Sequence, residues 1–188
     1  MHMPDGGFRP ALNVQFVTDT KSQVIVDAKV IQSGSDHGQL KPAVERVQRR
    51  CGLTPQEVLT DGGFAKPEDI AALAAGSPPC TTYAPVPELK TVKGQPIPPP
   101  ADEAAEAKAW RARMQTEQAK QIYKERAATA ECVNALAHNR GMQQFLVRGL
   151  KKVGSVVRLF VLAHNLLCGA RLCEGGWERL VRSAVNSS

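Results

Sequence analysis

The sequence lacks the cysteine pattern of a disulfide-bonded or zinc-binding protein. Its five cysteines are odd in number and include no Cys-x-x-Cys pair. His164 and Cys168 could share a helical face, but a zinc site needs more ligands, so we interpret them as packing residues. The opening residues Met-His-Met-Pro-Asp-Gly-Gly are polar and contain no apolar signal segment. These absences favour a reducing cytoplasm.

The sequence also lacks an uninterrupted apolar run long enough to cross a membrane. The most apolar stretch, 153–167, is interrupted by Arg158, His164 and Asn165. It falls short of the roughly 18 residues that a spanning helix requires. We therefore predict no membrane partner, and we predict that a helix over 147–173 faces the core or a partner.

Acidic residues are scarce in one long segment. Residues 108–158 hold eleven Lys and Arg but only three Glu, a net charge of +8, which leaves −2 for the rest of a chain of formal charge +6. Such a segment suits a polyanion, because neutralised phosphates release counterions and each contact adds affinity. A solvated helix face is the alternative interpretation.

Strand and helix patterns alternate along the first half of the chain, which predicts an α/β fold. The polar residues 18–22 separate two segments rich in Val and Ile, which is typical of a hairpin. The Gly34-Ser-Asp36 segment offers caps for a helix through Arg50. The predicted elements are strands over 12–17 and 23–31, a helix with Leu40, Val44 and Val47 on one stripe ending at Cys51-Gly52, a strand over 58–60, a helix over 67–75 and a strand over 81–86.

Prolines interrupt this alternation. Residues 87–101 contain five prolines, which exclude a helix or a central strand and predict a linker. Residues 102–136 are rich in Ala, Glu, Lys, Gln and Arg, which predicts helix with a break near Thr116. We predict one domain over 1–173 that contains the linker, followed by a tail over 174–188.

One carboxylate stands at a position typical of enzyme sites. Asp61 follows the short apolar strand and precedes Gly62 and Gly63, so it should lie at a strand tip with a permissive turn behind it. Many α/β enzymes place metal ligands and catalytic acids at this position. An ordinary Asp-Gly turn is the alternative.

A second block strengthens the first interpretation. The segment 123–150 carries Glu131, Asn134 and His138 at steps of three and four, so they line one helical face before Arg140-Gly141 ends it. Several unrelated blocks then occur in order: Asp5-Gly-Gly-Phe-Arg-Pro-Ala-Leu-Asn13-Val-Gln-Phe, Gly34-Ser-Asp36-His-Gly-Gln-Leu40, Asp61-Gly-Gly, the helix of Glu131, Phe145-Leu-Val-Arg-Gly-Leu-Lys-Lys-Val153 and Ala163-His-Asn-Leu. From about residue 5 to about residue 172 the chain resembles the catalytic region of insertion-sequence transposases of the DDE class, of the IS4/IS5-like superfamily.

This resemblance implies a ribonuclease-H-like core in which three acids hold two Mg²⁺ or Mn²⁺ ions. Asp61 matches the second acid and Glu131 the third. The first acid lies upstream of the block matching Asn13-Val-Gln and has no counterpart. We therefore expect an amino-terminally truncated, incomplete core without its first central strand but with long carboxy-terminal helices, and an isolated chain that is inactive.

Three other acids could be mistaken for the first one. Asp5 falls in a Gly-rich turn, while Asp19 and Asp27 belong to the hairpin. We interpret them as turn and solvent-face residues rather than catalytic ones.

The resemblance also implies DNA contacts. Tyr123, Arg126 and His138 follow the family signature around the third acid, although Arg126 stands one residue further from Glu131 than is common and His138 replaces a Lys or Arg. The further expected backbone contacts are Arg140, Arg148, Lys151 and Lys152.

The implied partners are double-stranded DNA, as transposon ends and target, and a second copy in a homodimer, in the nucleoid of a bacterial cytoplasm. The implied reaction is metal-dependent cleavage at the transposon end and strand transfer into the target. Two alternatives stay open: a non-catalytic DNA-binding or assembly remnant, and the product of a decayed reading frame.

Overall fold

The computed structural model describes residues 12–87, 91–92, 95–96 and 102–173. The chain separates into two compact units. One, called here the hairpin unit, combines Met1–Gly34 with Ala127–Ser188, and the other, the continuous unit, is Ser35–Arg126. The predicted turn at Asp5, the tail over 174–188 and most of the predicted linker lie outside the described residues.

The described elements alternate in type, as the sequence predicts. In chain order they are β1 Asn13–Thr18, β2 Ile25–Ile31, α1 Leu40–Cys51, β3 Glu57–Leu59, α2 Pro67–Ala74, β4 Thr81–Tyr83, β5 Thr91–Val92, β6 Gln95–Pro96, α3 Ala105–Met114, α4 Glu117–Arg126, a π-helical turn Ala127–Glu131, α5 Cys132–Ala137, a second π-helical turn His138–Met142 and α6 Leu150–Leu172. The mixed α/β class is therefore confirmed.

The described strands form three two-stranded sheets. β1 pairs with β2 and β5 with β6 in antiparallel fashion, while β3 and β4 are parallel. This arrangement is compatible with a DDE domain. The ribonuclease-H-like core stays a prediction.

The hairpin unit is built on β1 and β2, which confirms the predicted hairpin. Its connection is held locally, since the Asp19 carboxylate accepts hydrogen bonds from the amide and the hydroxyl of Ser22. Both hydrogen bonds lower the pKa of Asp19, and the bond from the Ser22 hydroxyl has the larger effect. Asp19 is thus a turn residue, as predicted.

The prediction that Asp27 is a solvent-face residue is wrong. Its side chain is only 1% exposed, so it is not a solvent-face residue. The reason is strand alternation: Asp27 lies two residues after the buried Ile25 on β2 and therefore shares its face.

Helix α6 is fastened to the hairpin by polar contacts. The Asn165 amide accepts from the Ile25 N–H at 2.9 Å and donates to the Ile25 carbonyl at 2.9 Å. His164 Nε2 donates to the carbonyl of Gln23, whose φ of 62° lies in the left-handed region. These bonds give hydrogen-bond partners to backbone groups at and just before the start of β2.

An apolar cluster lies beneath these contacts. It joins Phe16 and Ile25 of the hairpin to Val133 and Ala137 of α5 and Phe160 of α6. The rings of Phe16 and Phe160 are 5.6 Å apart between centroids, within the range favoured by aromatic pairs.

Helix α6 presents a second apolar face outwards. Val153, Val157 and Phe160 are buried, as the core-facing prediction requires, whereas Leu159 and Leu162 are exposed. Over its 23 residues the helix is long and apolar enough to cross a membrane, by length and composition alone. The prediction that this apolar stretch is too short to span a membrane is therefore wrong. A core helix of a soluble protein passes the same test.

The continuous unit has its own core. α2 connects the parallel strands β3 and β4, and the core includes Leu40, Ile70 and Trp110. Trp110 is fully buried, and its indole N–H donates to the carbonyl of Ala84 at 3.2 Å. Because burial of each large apolar side chain contributes about 1.5–3 kcal/mol, this cluster dominates the stability of the unit.

Helix α1 begins later than the sequence predicts. Its N-cap is Gln39, without a side-chain capping bond, so the predicted capping by Gly34-Ser-Asp36 is wrong. Those residues form a preceding turn in which the Asp36 carbonyl accepts from the Gln39 amide. The predicted end is confirmed: Gly52 adopts φ 70° and its N–H bonds to the carbonyl of Gln48.

The predicted break near Thr116 is also confirmed. α3 ends at Met114 and α4 begins at Glu117. The Thr116 hydroxyl accepts a hydrogen bond from the Ala119 N–H, which caps α4.

Candidate functional site

Asp61 lies two residues after β3, at the tip of the strand, as predicted. Its Oδ1 accepts a hydrogen bond from the Gly63 N–H at 2.9 Å, and its carbonyl accepts from Phe64. The carboxylate is 44% exposed. Local backbone contacts therefore orient Asp61 without removing it from solvent.

Gly63 belongs to this site, in the permissive turn that the sequence predicts after Asp61. A Cβ placed on Gly63 would lie 3.1 Å from Asp61 Oδ1 and 3.9 Å from the Cβ of Asp36. The carboxylate would therefore have to shift by a few tenths of an ångström to admit a side chain at Gly63. The Asp-Gly-Gly spacing carried the signal for Gly63, whereas nothing in the sequence placed Asp36 nearby.

Arg126 reaches Asp61 from the end of α4. Its NH2 group lies 3.6 Å from Asp61 Oδ2, and the guanidinium carbon lies 5.9 Å from the centre of the Tyr123 ring. Tyr123 in turn packs against the core of the continuous unit. The structure therefore brings together a predicted metal ligand and two predicted DNA contacts.

Glu131 belongs to the hairpin unit and ends the first π-helical turn. Its side chain is exposed, as are those of Asn134 and His138, while Val133 and Ala137 between them are buried. The three exposed side chains are those that the spacing predicts on one helical face. A π-helical turn bonds residue i to i+5, so it accommodates one residue more than an α-helical turn.

The π-helical turn Ala127–Glu131 directly follows Arg126. It coincides with the interval between Arg126 and Glu131 that the resemblance predicts to be one residue longer than is common.

His138 and Arg140 lie in the second π-helical turn. The Gln143 amide donates to His138 Nδ1 at 2.8 Å, which places the proton of a neutral imidazole on Nε2. Arg140 leaves helical geometry at φ −92° and ψ 20°, and Gly141 follows at φ 85°. The predicted helix end at Arg140-Gly141 is confirmed. The side chains of His138 and Arg140 are both exposed.

Three further cations stand at the start of α6. Arg148, Lys151 and Lys152 are all exposed, and no acid occurs in the first turn of the helix. The positive end of the helix dipole lies at the same place. This end of α6 is therefore suited to an anionic ligand.

His164 and Cys168 are buried packing residues, as predicted. His164 Nε2 bonds to the Gln23 carbonyl, and Cys168 Sγ lies 3.4 Å from the same nitrogen. Both side chains are less than 5% exposed.

The carboxylates of Asp61 and Glu131 have the donor chemistry of a divalent-cation site. Carboxylate oxygens are preferred ligands of Mg²⁺, and these two groups are accessible to solvent. Across residues 12–87 and 102–173, however, no group of three or more His, Cys, Asp or Glu could hold a metal ion.

Comparison with known protein families gives one match. Residues 91–168 match the family model described as transposase DDE domain. Searches of curated proteins and of solved structures found no match. The matched segment contains Tyr123, Arg126 and Glu131, and it supports a DDE transposase. Such domains generally use divalent metal ions and act on DNA.

Proposed function

We propose that this chain binds transposon DNA and contributes Asp61 and Glu131 to a two-metal centre for DNA strand cleavage and transfer. The observation that carries the proposal is the family match over residues 91–168, which contains the third acid and its signature residues. The ion pair between Arg126 and Asp61 supports it, because it links that segment to the second acid.

The two carboxylates would come from different secondary-structure elements. Asp61 extends from a strand tip and Glu131 from a helical turn. The Asp61 side chain is partly exposed, and that of Glu131 is exposed. Asp61 and Glu131 would hold Mg²⁺, which when bound would supply water activation and charge neutralisation for phosphodiester cleavage.

DNA binding would use the exposed cations Arg148, Lys151 and Lys152. They lie at or just before the amino-terminal end of α6, where backbone N–H groups and the helix dipole also favour phosphate. Contacts of this type position the duplex without reading its sequence. In a bacterial cell the protein would then be found with the nucleoid.

A non-catalytic DNA-binding role is the second candidate. It is favoured by the lack of a three-ligand group among residues 12–87 and 102–173. The same surface of α6 would bind duplexes, and Asp61 would then serve only to order the turn after β3.

Replacing Arg148, Lys151 and Lys152 together with Ala tests the DNA surface. We expect weaker binding to all duplexes, with the slope of log K against log salt flattened by about one unit for each phosphate that the variant leaves unneutralised. Fluorescence anisotropy between about 50 and 200 mM salt measures this. A matched triple variant at the exposed cations Lys21, Lys29 and Arg49 should keep the original slope. An equal slope in both variants would contradict the assigned surface.

Nicking of supercoiled plasmid separates the two candidate roles. Mg²⁺- or Mn²⁺-dependent nicking that Asp61→Asn abolishes would support the catalytic role. Salt-dependent binding without nicking would support the binding role. Neither activity would contradict both and favour a decayed reading frame.

A further inference from the structure

The outward face of α6 carries a stripe of apolar residues that is open to solvent. Leu162 is 57% exposed and Leu166 is 47% exposed, and Gly169 follows one turn later on the same face. These three residues are called here the leucine stripe. A Cβ placed on Gly169 would meet nothing within 4 Å. The described residues therefore leave room beside Gly169 for a large side chain, and a glycine there lets another element approach closely.

The chain changes direction directly after α6. The helix ends at Leu172, and Cys173 has left helical geometry at φ −81° and ψ 122°. Gly175 and Gly176 come next in the sequence and permit a sharp turn. Residues 173–176 thus have the composition of a tight connection, and their number falls within the roughly two to five residues that join antiparallel helices.

The segment after this connection has the periodicity of an amphipathic helix. Its apolar residues are Trp177, Leu180, Val181, Ala184 and Val185. Spacing of this kind, at i, i+3, i+4, i+7 and i+8, places the apolar side chains on one face of a helix. Residues 177–185 lie outside the described part of the chain, so this helix is a prediction from the sequence.

Charge favours this segment over a second copy of α6 as the cover of the stripe. The 23 residues of α6 include no Asp or Glu but four cations, Lys151, Lys152, Arg158 and Arg171. Two copies of α6 packed together would bring cations against cations, which disfavours pairing. Residues 174–188 instead hold two Glu and two Arg and are neutral.

We propose that residues 177–185 form a helix that folds back antiparallel on the leucine stripe, with Trp177 at the end marked by Gly169. At 1.5 Å per residue these nine residues span about 13.5 Å, which is the length of α6 from Leu162 to Ala170. The added helix covers Leu162 and Leu166 and stops short of Lys151. The docking is therefore independent of the proposed function, because it leaves the cations at the start of α6 open to DNA.

Fluorescence of Trp177 tests this contact in the full chain. The chain has two tryptophans, so the difference in emission between a protein and its Trp177→Phe variant isolates the signal of Trp177. We expect this signal to be blue-shifted and protected from acrylamide quenching, because the indole is buried against α6. Replacing Leu162 and Leu166 together with Gln should shift the signal to longer wavelength and remove the protection.

Two other exposed leucines provide a matched control. Leu53 is 72% exposed and Leu146 is 99% exposed, and neither lies on α6. Replacing both with Gln should leave the emission of Trp177 unchanged. Circular dichroism checks that both double variants are folded, which we expect because every substituted side chain is exposed in the described structure.

Dilution separates docking within one chain from association of two chains. Emission that stays blue-shifted over about a hundredfold range of protein concentration, and that only the Leu162 and Leu166 variant shifts, supports the proposal. A blue shift that is lost on dilution would assign the stripe to a second copy and overturn it. Emission typical of solvent-exposed tryptophan in the wild-type chain also overturns it. So does an unchanged blue shift in the stripe variant, since Trp177 would then pack elsewhere.

Discussion

At the residue scale, the two glycines after Asp61 have different neighbours. A Cβ on Gly63 would meet Asp61 Oδ1 at 3.1 Å, which is tighter than most real contacts, whereas a Cβ on Gly62 would meet nothing within 4 Å. The carboxylate must therefore move to admit a side chain at Gly63. Adjacent and chemically identical positions thus give opposite expectations for the same substitution.

We expect Gly63→Ala to lower the free energy of unfolding by about 1 kcal/mol, because it disturbs the hydrogen bond between Asp61 and the Gly63 amide. Gly62→Ala should leave it unchanged or raise it by up to about 1 kcal/mol, since alanine reduces the entropy of the unfolded chain. Urea unfolding of both variants provides the measurement. Equal effects at the two positions would show that the Asp61 carboxylate does not require Gly63.

Cys80 gives a prediction on pH. Burial, together with the negative charge of Glu57, raises the pKa of this thiol from 9.0 to about 11. Because the folded pKa is the higher one, the unfolded chain loses the proton first as pH rises. The stabilising contribution is complete below about pH 9 and is lost as the pH approaches 11.

In that window the loss from Cys80 can reach about 1.4 kcal/mol per pH unit. The Cys80→Ala variant lacks this contribution, so its free energy of unfolding should fall less steeply between about pH 9 and pH 11. Urea titrations across the range compare the two slopes. Parallel slopes would mean that Cys80 ionises equally in both states.

Local patterns predicted single residues better than partnerships. The place of Asp61 at a strand tip follows from an apolar strand followed by two glycines, all adjacent in sequence. Its ion pair with Arg126 joins the turn after β3 to the end of α4, and no local pattern carries that information. Burial of Asp27 was missed for a related reason, because its polarity outweighed its position beside Ile25.

At the element scale, Asn165 is the main polar link between α6 and the hairpin. Its amide satisfies both the N–H and the carbonyl of Ile25, each at 2.9 Å. Asn165→Ala leaves those two partly buried backbone groups without this partner. We expect a loss of about 1–3 kcal/mol in the free energy of unfolding.

Ser155 on the same helix provides a control for that measurement. Its hydroxyl is exposed and donates only to the carbonyl of Lys151, one turn earlier. Ser155→Ala should change the free energy of unfolding by less than about 0.5 kcal/mol. A similar small change for Asn165→Ala in urea unfolding would contradict the role assigned to the amide.

Helix boundaries were predictable where one residue type decides them. Gly52 ends α1 and Gly141 interrupts the second π-helical turn through positive φ, and Thr116 caps α4 with its hydroxyl. The start of α1 was not predictable, because Asp36 had the chemistry of a cap but lies in the turn before Gln39. The packing of α6 against β2 depends on residues about 140 positions apart.

At the scale of the whole molecule, one unit is continuous in sequence and the other is not. The continuous unit contains its apolar core within Ser35–Arg126, including the fully buried Trp110. Expressed alone, residues 35–126 should therefore unfold cooperatively. Residues 1–34 alone should not fold, since the helices that pack on the hairpin follow residue 127.

Trp110 reports this directly, because it is the one tryptophan in residues 35–126. We expect its fluorescence to be blue-shifted in buffer and to move to longer wavelength in a single urea transition. Circular dichroism of residues 1–34 gives the complementary measurement. Emission typical of solvent-exposed tryptophan before any urea is added would contradict an autonomous core.

The α/β class was predictable because it depends on the alternation of local patterns. Strand pairing was less predictable from the sequence, because β3 and β4 are short and their parallel pairing needs α2 between them. The separation into two units was not predicted from the amino-acid composition. It depends on which side chains meet, and those contacts join residues far apart in sequence.

The division of the hairpin unit into two sequence segments has a consequence for synthesis on the ribosome. β1 and β2 are complete at Ile31, but α6, which covers them, begins at Leu150. At roughly 5–20 residues per second the hairpin waits roughly 6–24 s for this helix. During that time Phe16 and the backbone edge at Ile25 lack their final neighbours, so the nascent chain is open to chaperones and to premature association until α6 has been synthesised.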